Sequence, residues 1–171
     1  MVDSANLSTG ISLLVLDACE MAEKGMAPEE IVSAVEAKRD KLDVSFVIDT
    51  LDYLKAGGRC SPLVALGANL LNLKPCIELK DGKMDVGKKY RGAIEKVIVK
   101  YLDDRLRDPD AIDHKRAFIT WSDGFDRAFI DEVRSAVLAR CPFEELLESV
   151  AGCTISNHCG PKTLGILMYQ K

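Results

Sequence analysis

The sequence predicts an α/β fold built on a mixed sheet with packed helices, and three observations carry that reading. Short, apolar, β-favouring runs at residues 45–48, 73–79, 84–88, 117–121 and 164–169 alternate with longer stretches of helical periodicity. Two of these runs flank Lys80-Asp81-Gly82-Lys83, whose Asp-Gly pair favours a tight hairpin, so 73–79 and 84–88 are antiparallel. Long helices separate the other runs and leave room for crossovers, which makes a mixed sheet a better fit than a purely parallel one. With 171 residues, 47% of them hydrophobic, the chain can bury the core of one domain or slightly more.

Ile11, Leu14, Val15, Ala18, Cys19 and Ala22 recur at helical spacing, with Ser8 or Thr9 as the cap and an end near Gly25. Pro28 opens a second helix whose inward face is Ile31, Val32, Val35 and Leu42. Residues 45–48 read as a buried strand. Asp49 or Thr50 then caps a short helix over 51–56, and Gly57 and Gly58 offer the left-handed backbone that ends it. Arg59 follows at this strand-helix-turn junction. Its planar guanidinium suits a carboxylate or phosphate, through two parallel hydrogen bonds, with a plain surface salt bridge as the alternative.

Pro62 starts an apolar helix with Leu63, Leu66, Leu70 and Leu71 on one side, which reads as a core helix or as a wall for an apolar ligand. After the hairpin, Ile94, Val97, Ile98, Tyr101, Leu102 and Leu106 predict a long amphipathic helix. A charged loop over 103–116 follows, solvated and without chemistry, with His114 exposed in it. The rest reads as a strand at 117–121, a helix over 125–140 that stops before Pro142, a candidate return strand over 143–150, and a last strand at 164–169.

A net charge of −4 with mixed signs argues against nucleic acid, and Lys88, Lys89, Arg91 and Lys96 form only a local basic cluster. No run approaches the roughly 18 to 20 apolar residues of a membrane span, and the start lacks the build of a signal peptide, so a cytoplasmic protein is expected. The six cysteines include no CxxC pair, and Cys153, His158 and Cys159 are too few for structural zinc; all six are expected as free thiols. Gly57-Gly58 lacks the third glycine and the long helix of a phosphate loop. No metal or cofactor is implied.

Cys159 beside His158 raises one catalytic reading, a small thiol hydrolase or acyltransferase. If residues 153–160 are extended, adjacent side chains point to opposite faces and His158 is badly placed to activate Cys159. A binding module is the stronger reading.

The segments DSANLSTG (residues 3–10), FVIDTLDYLKAGGRCS (46–61), LNLKP (71–75) with DGK (81–83), YRG (90–92) and SNHCGPKTLG (156–165) resemble, in order, motifs of the DegV family of bacterial fatty-acid-binding proteins. The resemblance implies that Arg59 and His158 hold a fatty acid carboxylate, that the helix carrying Leu63, Leu66 and Leu70 lines the acyl chain, and that Arg91 docks a partner, a fatty acid kinase. It also implies that the chain begins partway through the family fold. Residues 1–57 then resemble the end of the N-terminal domain and residues 58–171 the C-terminal α/β domain, while the serine and threonine hydroxyls of the family's first half have no match here.

Overall fold

The computed structural model describes residues 1–58 and 73–171. Arg59, Cys60 and the expected helix with Leu63, Leu66 and Leu70 lie outside the described residues. Among the described residues six helices run in the order α1 (Thr9–Glu23), α2 (Pro28–Arg39), α3 (Asp52–Ala56), α4 (Ile94–Arg105), α5 (Arg127–Arg140) and α6 (Cys153–Cys159). Six strands, β1 (Leu42–Val47), β2 (Leu73–Lys80), β3 (Lys83–Arg91), β4 (Ile112–Trp121), β5 (Glu145–Val150) and β6 (Leu164–Gln170), form one sheet in the order β3-β2-β1-β6-β4-β5. The sheet is mixed, as expected: β4 and β5 pair in parallel across α5, and the other neighbours are antiparallel. The β2-β3 hairpin turns on Asp81 and Gly82, both with positive φ, the backbone that matches the strands' twist.

Helices cover both faces. Alternation along β1 sends Ser45 and Val47 to one face and Val44 and Phe46 to the other. On the first face α4 and α5 pack Val97, Ile98, Leu102, Ile130 and Val133 against Val47, Ala117, Ile119, Ile166 and Met168. The buried Tyr101 hydroxyl ties α4 to two strands: it donates to the Ser45 carbonyl at 2.9 Å and accepts from the Ile166 N–H at 2.9 Å. On the second face α1 and α2 set Leu13, Leu14 and Val35 over Val44, Phe118, Leu167 and Tyr169, and α3 and α6 continue the layer over Phe46 and Ile77.

Several local expectations are corrected. The buried side of α1 is Thr9, Gly10, Leu13, Leu14 and Asp17, which leaves Ile11, Val15 and Cys19 exposed. The stripe is rotated because Asp17 is an inward residue: only 2% exposed, it accepts from Lys38 at 2.7 Å and faces Arg116 at 3.4 Å. The charged run over 103–116 is not a solvated loop. Its start finishes α4, where the half-buried Arg105 pairs with Asp43 and with Glu78 at 3.2 Å, and its end is the first half of β4. His114 is accordingly half-buried on β4, its Nε2 2.8 Å from the Pro109 carbonyl oxygen. Neither Ser8 nor Asp49 supplies a side-chain cap: Ser8 is the N-cap of α1 without such a bond, and the N-cap of α3 is Leu51. Thr50 instead accepts from the Asp52 N–H at 3.3 Å. Of the paired glycines only Gly58 is left-handed, with φ of 69°, while Gly57 has φ of −78°.

The Asp17 cluster makes acid stability testable. Lys115 and Arg116 donate to Glu20 and hold its carboxyl down to about 2 from its ordinary 4.5. The folded pKa is depressed, so the stability this carboxylate contributes is complete above about pH 4.5 and drains away as the pH falls toward 2. The urea midpoint of the wild type is expected to fall over that range, and that of Glu20→Gln to fall less steeply. Equal slopes would count against this role.

Candidate functional site

On the second face of the sheet a narrow apolar crevice with a cavity volume of about 30 Å³ lies between the start of α1 and α6. Its floor is Thr163 and the strand β6 that follows it, where Gly165 and Leu167 continue at the two-residue period of one strand face. Gly165 is required there. A Cβ at this position would stand 2.5 Å from the Ser45 carbonyl oxygen and 2.8 Å from the Phe46 Cβ, because β1 runs against β6 in the Phe46-Gly165 register. Leu7 and Ser8 form one wall, and Ile155 and Cys159, four apart and therefore on one side of α6, form another.

Thr120, Ser122 and Thr163, which border the crevice, spend their hydrogen bonds within the protein. Thr120 pairs with Thr9 at 2.5 Å, which pins the first turn of α1 onto the sheet. Ser122 donates to the Gly160 carbonyl at 2.6 Å and accepts from the Thr163 N–H at 3.0 Å, and Thr163 donates to the Cys159 carbonyl at 3.0 Å. The interior surface left over is apolar, which suits a hydrocarbon and offers nothing to a polar ligand.

His158 lies on α6 next to Cys159, which lines the crevice. Residues 153–159 are the helix α6, not the extended segment of the sequence reading, so His158 lies one turn from Ile155 and a third of a turn from Cys159. Its imidazole packs against Gly57, where a Cβ would collide with Nδ1, and Gly160 meets the ring of Tyr53 in the same way. The end of α3 and the end of α6 thus close on each other through two glycines, one of which is two residues before Arg59. The His158 Nδ1 is buried and has no hydrogen-bond partner among the described residues.

Cys159 is a buried thiol, poorly suited to act as a nucleophile. Burial pushes its thiol up to about 11, so only about one molecule in ten thousand carries the thiolate near pH 7. Cys19, Cys76, Cys141, Cys153 and Cys159 are free. Among the described residues no group of three or more histidine, cysteine or carboxylate side chains could hold a metal, and no helix is long and apolar enough to cross a membrane. Arg91 ends β3 and is exposed beside Gly92, whose φ is 123°, before α4 begins at Ile94.

A model of the DegV family, described as uncharacterised protein, matches residues 1–171. The chain belongs to the DegV family. A DegV domain-containing protein of Caldanaerobacter subterraneus is 31% identical over 171 residues, which are all of this chain and 60% of that protein. A DegV family protein from Thermus thermophilus, whose structure is described by its fatty acid binding, superposes with a TM-score of 0.84 at 33% identity, over 99% of this chain and 60% of that one. The fatty acid kinase B3 protein of Streptococcus pneumoniae, solved loaded with linoleic acid, shares the fold with a TM-score of 0.83 at 19% identity, over 99% of this chain and 59% of that one. This DegV chain therefore spans about 60% of the length of these relatives.

The DegV chain's crevice residues were not singled out by the sequence reading, which looked for an acyl wall at Leu63, Leu66 and Leu70. Val44, Phe46, Ile155 and Leu167 carry no signal beyond strand or helix patterning. Gly165 was the legible clue, an isolated glycine inside a strand pattern, which marks a close backbone approach.

Proposed function

We propose that this chain binds a long-chain fatty acid in the cytoplasm, seats its tail in the crevice over β6, and presents its carboxylate beside His158 and Arg59 to a fatty acid kinase. The observation that carries the reading is an apolar crevice walled by Ile155 and Cys159 of α6, the helix that also carries His158, whose buried Nδ1 has no hydrogen-bond partner among the described residues. Burying an unpaired carboxylate costs several kcal/mol, so an acid whose tail is held there needs donors at that end. His158 supplies one, and Arg59, which follows the Gly57-Gly58 turn, supplies a charged fork. Leu63, Leu66 and Leu70 are assigned to the same acyl environment. The Thermus protein, described by its fatty acid binding, and the Streptococcus protein, loaded with linoleic acid, support the ligand class. The free thiols accord with a reducing compartment.

Titration with cis-parinaric acid, whose fluorescence rises on binding, tests the carboxylate end. His158→Ala and Arg59→Ala are each expected to weaken binding by about 1 to 3 kcal/mol, the worth of hydrogen bonds to a charged group. Wild-type affinity in both variants would overturn the assignment. Arg91 is assigned to kinase docking: an exposed rim charge acts mainly on encounter, so Arg91→Ala is expected to slow phosphorylation of the bound acid and make its rate less sensitive to salt while lipid content stays unchanged. Loss of bound lipid in that variant would contradict the role.

A further inference from the structure

We infer that Val44 and Leu167 are the chain-length stop of the acyl site, an inference that rests on the fatty acid reading above. The crevice is lined from Thr163, just before β6, to Leu167 on one face of the strand, and the end of α6 that carries His158 meets it at Thr163, which donates to the Cys159 carbonyl at 3.0 Å. At the other end Leu167 lies directly across from Val44 in the β1-β6 register and from Phe118 in the β4-β6 register. Val44 and Leu167 are 2% and 3% exposed and stand at the boundary of the packed cluster that α1 sets on the sheet, with Leu13 and Leu14 behind them. Both still line the crevice, while Leu13 and Leu14 do not. The void therefore ends on these two side chains.

Distances turn this stop into a ruler. Four residues of strand at about 3.3 Å each separate Thr163 from Leu167, about 13 Å. An extended hydrocarbon advances about 1.3 Å per carbon for bonds of about 1.5 Å, so this stretch takes about ten methylenes. The carboxylate is held at a fixed point by its donors. The methyl end then meets Val44 and Leu167 at one chain length, and a longer acid must either leave its carboxylate short of His158 or bend. The floor has no spare room at its middle, where even a Cβ on Gly165 would meet the Ser45 carbonyl oxygen and the Phe46 Cβ.

The test is displacement of cis-parinaric acid by saturated fatty acids that differ by two carbons, measured on the wild type, Leu167→Ala, Leu167→Phe and Val44→Ala, each checked for its fold by circular dichroism. Leu167→Ala removes about 2.5 Å of reach, and the preferred acid is expected to lengthen by about two carbons. Leu167→Phe is expected to shorten it by at least as much. Val44→Ala removes less volume and gives the same upward shift should Leu167→Ala fail to fold. Variants that bind fatty acids with the wild-type ranking of lengths overturn the stop and leave the fatty acid reading standing. A wild type that binds no acid of any length overturns both.

Discussion

Gly165→Ala is expected to destabilise the chain by about 2 to 3 kcal/mol, the upper part of the usual cost of overpacking. The added carbon would stand 2.5 Å from a backbone oxygen, that of Ser45, and 2.8 Å from the Phe46 Cβ. Neither atom is the free end of a side chain that can swing away. Relief requires β1 and β6 to separate, and these are the two central strands, paired over six residues from Leu42-Tyr169 to Val47-Leu164. Gly152→Ala is the control: a Cβ there has nothing within 4 Å, and the change is expected to stay within about 0.5 kcal/mol. Urea unfolding of both variants measures the contrast. Equal midpoints would show that the close approach is not what holds a glycine at 165.

The second large effect is expected at Asp17. Its carboxylate is 2% exposed and faces Lys38 at 2.7 Å, Arg116 at 3.4 Å and Lys115 at 3.5 Å. Asp17→Ala strips one anion from a cluster in which Arg116 is nearly as buried, and removal of one partner from a buried pair costs about 3 to 5 kcal/mol. Glu20 and Glu145 still neutralise Arg116, so about 2 to 3 kcal/mol is expected here. Thermal and urea unfolding check it. Asp17→Ala should also blunt the effect of a second change at Arg116, because the two share one network. Additive losses in the double variant would contradict the coupling.

The α/β class, the mixed sheet and the β2-β3 hairpin were legible because apolar periodicity and the Asp81-Gly82 turn are local signals. Strands are present at all five anticipated places, 45–48, 73–79, 84–88, 117–121 and 164–169; the first starts earlier, at Leu42, and stops at Val47, and the others extend by one to five residues at one end or both. What failed were positions where a tertiary partner decides. Asp17 counts as polar in any helical pattern, yet Lys38, Lys115 and Arg116 draw it inward and turn α1 away from Ile11 and Val15. The run over 103–116 looks solvated because its charges are dense, yet Arg105 and Arg116 reach carboxylates on other elements. Residues 153–159 are too short and too polar to show a period, and their helix is placed by packing on α3 through Gly57 and Gly160. His158, the residue proposed for the carboxylate end, stands out in the sequence only through its glycine-containing motif. The crevice was not legible, since it is made of ordinary strand residues brought together by the β1-β6-β4 order.

The central claim is that an acyl chain occupies the crevice, and mass spectrometry of the purified protein tests it most directly. Lipid is extracted from the wild type and from Ile155→Trp, whose indole would fill the space between α6 and β6 at a half-buried position. The wild type is expected to release a long-chain fatty acid in near-equal amount to protein, and Ile155→Trp, folded by circular dichroism, to release little or none. A wild type free of fatty acid, or equal lipid in both proteins, would contradict the account.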